Sequence, residues 1–239
     1  MFVVAGARVA GIAAAEALLR RGAPVTVCDR QAGEGTERLA AAGARIIIAD
    51  NPPTDLLKGV TDLVVSPGFP PSHPLALAAA AQGIDVYSEP ELAWRLRRAG
   101  SAPWLAVTGT NGKTTATTML ASILGAAGLR TAALGNIGIP LVDAVTADYD
   151  VLAVELSSFQ LHWSSILAPE AAAWLNVADD HLDWHGGFDA YTQAKAGVWR
   201  GGVAVGNLDD PRVASELKHR GGRTVGFTLG IPPVGSLGL

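Results

Sequence analysis

Apolar, β-rich runs alternate with longer Ala/Leu-rich stretches along almost the whole chain. Residues 2–5, 25–28, 46–48, 63–65 and 86–87 read as short buried strands, and the stretches 11–21, 36–42, 74–82 and 89–98 between them read as helices. Such alternation predicts an α/β fold, a parallel sheet with helices on its faces. Five strands complete a unit of about 100 residues. A polar link over 97–103 follows, and a second alternation begins, with strands expected at 104–107, 131–134, 151–154, 171–176 and 203–206. Two domains are therefore expected, 1–99 and 100–239. Residues 227–239 are Gly/Pro-rich and apolar, with no closing element expected, so the second domain is expected to be incomplete.

The remaining features narrow the class. Residues 2–19 are apolar enough to suggest a signal peptide or anchor, but they lack a basic leading segment and contain Arg8 and Glu16. A charge at a bilayer centre costs roughly 2.5 kcal/mol or more, so the stretch reads as a buried strand followed by a helix, with no membrane partner. With 49% hydrophobic and 17% charged residues the chain is predicted to pack rather than stay disordered. A net charge of -4 without a basic run argues against nucleic acid as a partner. The single cysteine, Cys28, forms no internal disulfide, which fits a cytoplasmic protein, here expected to be a monomer.

The strongest chemical signal is Thr108-Gly109-Thr110-Asn111-Gly112-Lys113-Thr114-Thr115, between a predicted strand and a helical run at 116–127. Glycines let backbone N–H groups turn onto phosphate oxygens, and the helix N-terminus adds partial positive charge. Lys113 is placed to reach the β/γ-phosphates and Thr114 to ligate magnesium. The first glycine of the general pattern is Val107 here; the plainer reading is a Gly-containing turn before a helix.

Glu155, in Glu155-Leu156-Ser157-Ser158-Phe159-Gln160, ends an apolar strand. Taken alone it is a solvated strand end; beside a phosphate loop it becomes a magnesium ligand. The run from Asn176 to His185 contains Asp179, Asp180, His181 and Asp183, suited either to a cation or to a polar capping turn. Lys195 reads, by itself, as a solubilising helical lysine. At the N-terminus, Gly6-Ala7-Arg8-Val9-Ala10-Gly11 is similar to a dinucleotide fingerprint with Arg8 in place of the second glycine. That substitution blocks the usual pyrophosphate approach, so a Rossmann-like unit for another nucleotide fits better than an NAD site.

Together these segments resemble the Mur ligases, ATP-dependent amino-acid-adding enzymes of peptidoglycan synthesis, over essentially the whole chain. Gly109 to Thr115 is similar to the loop of the whole superfamily, folylpolyglutamate synthase included. Gly135-Asn136-Ile137-Gly138-Ile139-Pro140, the segment from Glu155 to Leu161, and Ser66-Pro67-Gly68 resemble the D-glutamate-adding branch. The resemblance implies a Rossmann-like UDP-sugar domain at 1–99, a partial P-loop ATPase-type domain at 100–239, and an absent C-terminal amino-acid-binding domain. It implies ATP, Mg2+, UDP-N-acetylmuramoyl-L-alanine and D-glutamate as ligands, joined through an acyl phosphate.

By the same analogy Gly109, Thr110, Asn111, Gly112, Lys113, Thr114 and Thr115 hold ATP. Thr114, Glu155, His181 and a carbamylated Lys195 hold magnesium; Lys113, Glu155, His181 and Lys195 are catalytic. Val9, Ala10, Asp29, Arg30, Ser66, Pro67, Gly68, Asn136, Ser157 and His181 meet the UDP-sugar substrate. Ala10 stands where a hydroxyl residue is common in this branch, and Arg8 replaces a small residue. Family members run to about twice this length, which implies that the chain alone has no ligase activity. The alternatives are a binding-only fragment, a degenerate paralogue or a sister ligase.

Overall fold

In a computed structural model, which describes residues 1–238, the apolar runs form two parallel sheets. The first holds β1 (Phe2–Ala5), β2 (Val25–Asp29), β3 (Arg45–Ile48), β4 (Asp62–Val65) and β5 (Asp85–Ser88), in the order β3-β2-β1-β4-β5. Its helices are α1 (Val9–Leu19), α2 (Glu34–Ala41), α3 (Pro74–Ala81) and α4 (Glu89–Leu96). The central strands are covered on both faces: Val3, Val4, Val27, Leu63 and Val64 are at most 1% exposed. That is why they read as continuous apolar runs rather than alternating ones. Helix α1 buries Ala13, Ala14, Ala15, Ala17 and Leu18, and its Gly11 lets it lie close to the turn that follows β1. A Cβ at Gly11 would stand 1.8 Å from the Gly6 carbonyl oxygen. Among the described residues no helix is long and apolar enough to cross a membrane.

The second sheet runs β11-β10-β9-β6-β8-β7. Its strands are β6 (Trp104–Thr108), β7 (Ala133–Gly135), β8 (Leu152–Glu155), β9 (Ala171–Trp174), β10 (Val203–Asn207) and β11 (Thr224–Phe227). The helices of this half are α5 (Lys113–Ala126), α6 (Leu141–Ala144), α7 (Ser158–His162), α8 (Leu182–His185), α9 (Phe188–Ala196) and α10 (Pro211–His219). The fully buried Trp104 and Trp174, on the neighbouring strands β6 and β9, anchor its core. Such side chains carry the largest apolar burial in a core.

Three features depart from the sequence-based picture. Strand β11 and helices α6, α7, α8 and α10 were not among the predicted elements, and the tail does acquire a partner. Leu237 forms a parallel bridge to Phe227, its N–H donating to the Gly226 carbonyl. The compact units are also not divided by a single cut: one comprises 1–97 with 140–145, the other 98–139 with 146–239. Segment 140–145 is held by Glu89, whose carboxylate accepts a 2.7 Å hydrogen bond from the Val142 N–H. Glu89 is buried, and burial pushes its carboxyl up to about 7.

Candidate active site and nucleotide cleft

In the second unit, β6 delivers the chain to the loop 109–112, and α5 begins at Lys113. The loop is shaped from behind by Asn176, just past the end of β9. Its Oδ1 accepts from the N–H groups of Thr110 (3.0 Å) and Asn111 (2.9 Å), and its Nδ2 donates to the Asn111 carbonyl (3.1 Å). Thr110 is fixed again by its hydroxyl, 3.0 Å from the Tyr191 hydroxyl and accepting from the Ala178 N–H. Asn176 was quoted in the sequence motif without a role; its signal was a short amide immediately after a buried strand.

Three charged groups meet at this loop. Lys113 Nζ donates to the carbonyls of Gly109 and Thr110, both at 2.9 Å. Lys195, on α9, reaches the same Gly109 carbonyl at 2.7 Å and is 1% exposed. Burial, with the nearby Lys113 charge adding to it, lowers the Lys195 amine to about 7. Glu155 ends β8 and is 1% exposed; it accepts from the Thr114 hydroxyl (2.8 Å) and the Asn136 side-chain amide (2.9 Å). Both donors are neutral, so a buried carboxylate lies at the phosphate loop bonded through neutral groups, which suits a cation ligand.

Asn136 is brought there by an unusual turn. Gly135 has φ +104°, and a Cβ on it would stand 2.3 Å from the Glu155 carbonyl oxygen. The variant Gly135→Ala is therefore expected to lose about 3 kcal/mol or more of stability, read by thermal melting. A melting temperature unchanged within a degree would show that the turn tolerates a side chain.

The other predicted residues lie as follows. His181 has φ 52°, the only positive value outside glycine among the described residues. Its half-exposed ring lies 3.4 Å from Asp180 and 4.7 Å, between centroids, from Phe159. His185, four residues on, is buried against the Ser158 hydroxyl at 3.0 Å. Burial, reinforced by His162 and Lys195, lowers it to about 4. Among the described residues no three His, Cys, Asp or Glu side chains converge as a metal cluster. Ser157 is engaged in a capping box with Gln160 at the start of α7, which gives it a structural task. Gly109 and Gly112 shape the loop, and Thr115 is exposed in the first turn of α5.

The first unit has its own cleft, of about 380 Å³, at the carboxyl ends of its strands. It lies where the order reverses around β1, the usual ligand position in an open α/β sheet. Ala10, Asp29, Arg30, Ser66, Pro67 and Gly68 all line it, together with Arg8. Val9 does not line it and is 71% exposed on α1. Asp29 accepts from the Ala7 N–H (2.5 Å) and the Gln31 N–H (3.2 Å), holding the first loop in place. Cys28 also lines the cleft; burial, then Asp29, pushes its thiol up to about 12, so it stays an uncharged wall.

The two halves of the chain match known families in the same order. Residues 1–88 match the MurD-like N-terminal domain of Mur ligases, and residues 107–232 match the Mur ligase middle domain.

The chain belongs to the Mur ligase family.

It is 49% identical to the UDP-N-acetylmuramoylalanine–D-glutamate ligase of Streptomyces avermitilis, over 99% of this chain and 53% of that enzyme. The enzyme of the same name from Frankia casuarinae is 54% identical, over 95% of this chain and 49% of its own length. That from Mycobacterium tuberculosis is 48% identical, over 99% and 48%. The chain thus spans about half the length of the curated relatives it matches. Among solved structures, the UDP-N-acetylmuramate:L-alanyl-γ-D-glutamyl-meso-diaminopimelate ligase of Neisseria meningitides has a TM-score of 0.59 at 19% identity, covering 98% of this chain and 81% of that one. The UDP-N-acetylmuramate–alanine ligase of Thermotoga maritima has a TM-score of 0.52 at 21% identity, covering 94% and 52%. These likenesses establish the Mur ligase fold for both units.

Proposed function

We propose that this Mur ligase chain carries the UDP-sugar site and the phosphate loop of an enzyme that adds D-glutamate to UDP-N-acetylmuramoyl-L-alanine. The observation that carries this reading is Glu155, buried at the end of β8 and hydrogen-bonded to Thr114 and Asn136 beside the loop. ATP fits the loop, whose N–H groups and α5 N-terminus suit phosphate oxygens. A magnesium ion fits Glu155 and Thr114, an anionic and a neutral oxygen, and would neutralise charge on the phosphates when bound. Lys113, released from the carbonyls of Gly109 and Thr110, neutralises phosphate oxygens.

In this reading the substrate carboxylate attacks the γ-phosphate, releasing ADP and leaving an acyl phosphate. The amine of D-glutamate then attacks the carbonyl, and phosphate departs as the amide forms. Lys195 fits carbamylation, because an amine lowered to about 7 is largely available as the free base that adds to CO2. The product is a carbamate with loss of one proton, a cation turned into an oxygen ligand. His181 belongs to the same proposed metal set, and Asn136 to the substrate side. The buried thiol of Cys28, the chain's single cysteine, supports a reducing cytoplasm as the working compartment.

Calorimetric titration with UDP-N-acetylmuramoyl-L-alanine tests the substrate half of the proposal, with NAD as control. Saturable binding of the UDP-sugar and none of NAD is expected. Binding of NAD instead would sink the assignment.

A further inference from the structure

Helix α9 meets the phosphate loop with two residues one turn apart. Tyr191 and Lys195 are both 1% exposed and stand at i and i+4, on one face of the helix. Lys195 bonds the Gly109 carbonyl at 2.7 Å, and the Tyr191 hydroxyl lies 3.0 Å from the hydroxyl of the next loop residue, Thr110. The Lys195 amine is also 4.7 Å from the centroid of the Tyr191 ring. Lys195 has a proposed place in the metal set, and Tyr191 has none.

A tyrosine this deep in a unit contributes first through its ring, which here packs on His185 at 5.2 Å between centroids. Phenylalanine would fill that space equally well. The hydroxyl needs a separate reason, because a buried hydroxyl must find a partner to offset its lost hydration. Among the described residues that partner is the Thr110 hydroxyl. Burial raises the Tyr191 phenol above its ordinary value, so the bond joins two neutral hydroxyls around pH 7. Thr110 is also where the loop is tied to the segment after β9: its N–H donates to Asn176, and its hydroxyl accepts from the Ala178 N–H at 3.0 Å. That segment is itself irregular, whereas Tyr191 and Lys195 fasten the loop to a regular helix.

We propose that Tyr191 is a positioning residue of the nucleotide site, its hydroxyl holding Thr110 so that loop 109–112 is shaped for phosphate before ATP arrives. This rests on the reading of that loop as an ATP site. Phosphate is bound by backbone N–H groups, and ordering a loose loop at the moment of binding subtracts from affinity. Tyr191 acts through Thr110 and not through magnesium, which fixes what the variants must do. Phenylalanine at 191 keeps the ring and its packing, and valine at 110 keeps the shape of threonine, so each removes one hydroxyl of the pair.

The test is calorimetric titration of ATP, with and without magnesium, into the whole chain, Tyr191→Phe, Thr110→Val and the double variant, with thermal melting of each. Tyr191→Phe is expected to melt within about 4 °C of the unaltered chain and to bind ATP about tenfold more weakly, by the same factor with and without magnesium. Thr110→Val should weaken binding at least as much. Adding Tyr191→Phe to it should change affinity by less than about twofold, because the bond is already gone. Tyr191→Phe binding ATP as tightly as the unaltered chain would overturn the proposal, leaving Tyr191 a core side chain. Additive weakening in the double variant, or weakening seen only with magnesium, would overturn it too, since Tyr191 would then act by another route. A folded, unaltered chain that binds no ATP would overturn the reading of the loop itself, and the role of Tyr191 with it.

Discussion

Replacing Glu155 by glutamine is expected to weaken magnesium-dependent ATP binding by about 100-fold and to leave the fold standing. The two side chains have the same shape. The glutamine oxygen still accepts from the Asn136 amide, and the Thr114 hydroxyl, a donor to Glu155 now, can rotate to accept from the new NH2 group. The expected cost in stability is therefore about 1 kcal/mol. What disappears is a full negative charge at a position 1% exposed, where its attraction for a divalent cation is poorly screened. ATP without metal should respond with the opposite sign, since the carboxylate repels phosphate oxygens. Titrations of ATP with and without magnesium decide the matter. Loss of both by similar factors would assign Glu155 to the shape of the loop, and magnesium-dependent binding within threefold of the unaltered chain would remove it from the metal set.

The main lines of this site were legible because its determinants are local. Residues 108–115 combine glycines, a lysine and hydroxyls at a strand-to-helix junction, and the strand ending at Glu155 is a plain apolar run. The strand pattern of both sheets, β11 apart, was readable for the same reason. What stayed hidden depends on partners far along the chain. Nothing near residue 140 shows that 140–145 packs with the first unit; that follows from Glu89, 53 residues away, capping the Val142 N–H. Asn176 shapes a loop 65 residues earlier, a pairing that no local pattern announces.

Competition between local and functional readings explains another part. The Ser157-x-x-Gln160 spacing is a helix-capping pattern in its own right, and the structure shows both side chains used that way. Helix α10 also had a local signature, Asp210 as N-cap, Pro211 in the first turn and Val213 with Leu217 on the buried side. Its amphipathic stripe is two residues long, too short to stand out beside the long Ala-rich helices. Lys195 is the sharpest contrast: a lysine in a polar helix reads as solvated, yet it is fully buried because α9 packs on α7 and its end reaches the Gly109 carbonyl.

That burial makes Lys195→Met a substitution expected to stabilise the protein and abolish its proposed chemistry. A folded-state amine at about 7, against an ordinary value of 10.5, means that the unfolded chain binds a proton between those pH values that the folded chain does not. Stability from this group therefore rises with pH through that window and is lowest below pH 7. Methionine removes the buried amine and keeps its volume, and such replacements of buried charges gain about 1–4 kcal/mol. The Gly109 carbonyl is not orphaned, since Lys113 Nζ still donates to it at 2.9 Å. Denaturant unfolding in bicarbonate-free buffer should show the gain at pH 7 and a flatter pH dependence up to pH 10. Adding bicarbonate separates packing from chemistry: it should stabilise the unaltered chain, whose amine can form the carbamate, and leave the methionine variant unmoved. A variant less stable at pH 7 would mean that the bond from Lys195 to Gly109 is worth more than the burial costs, and that the lysine is held there by architecture rather than by a proposed role in metal binding.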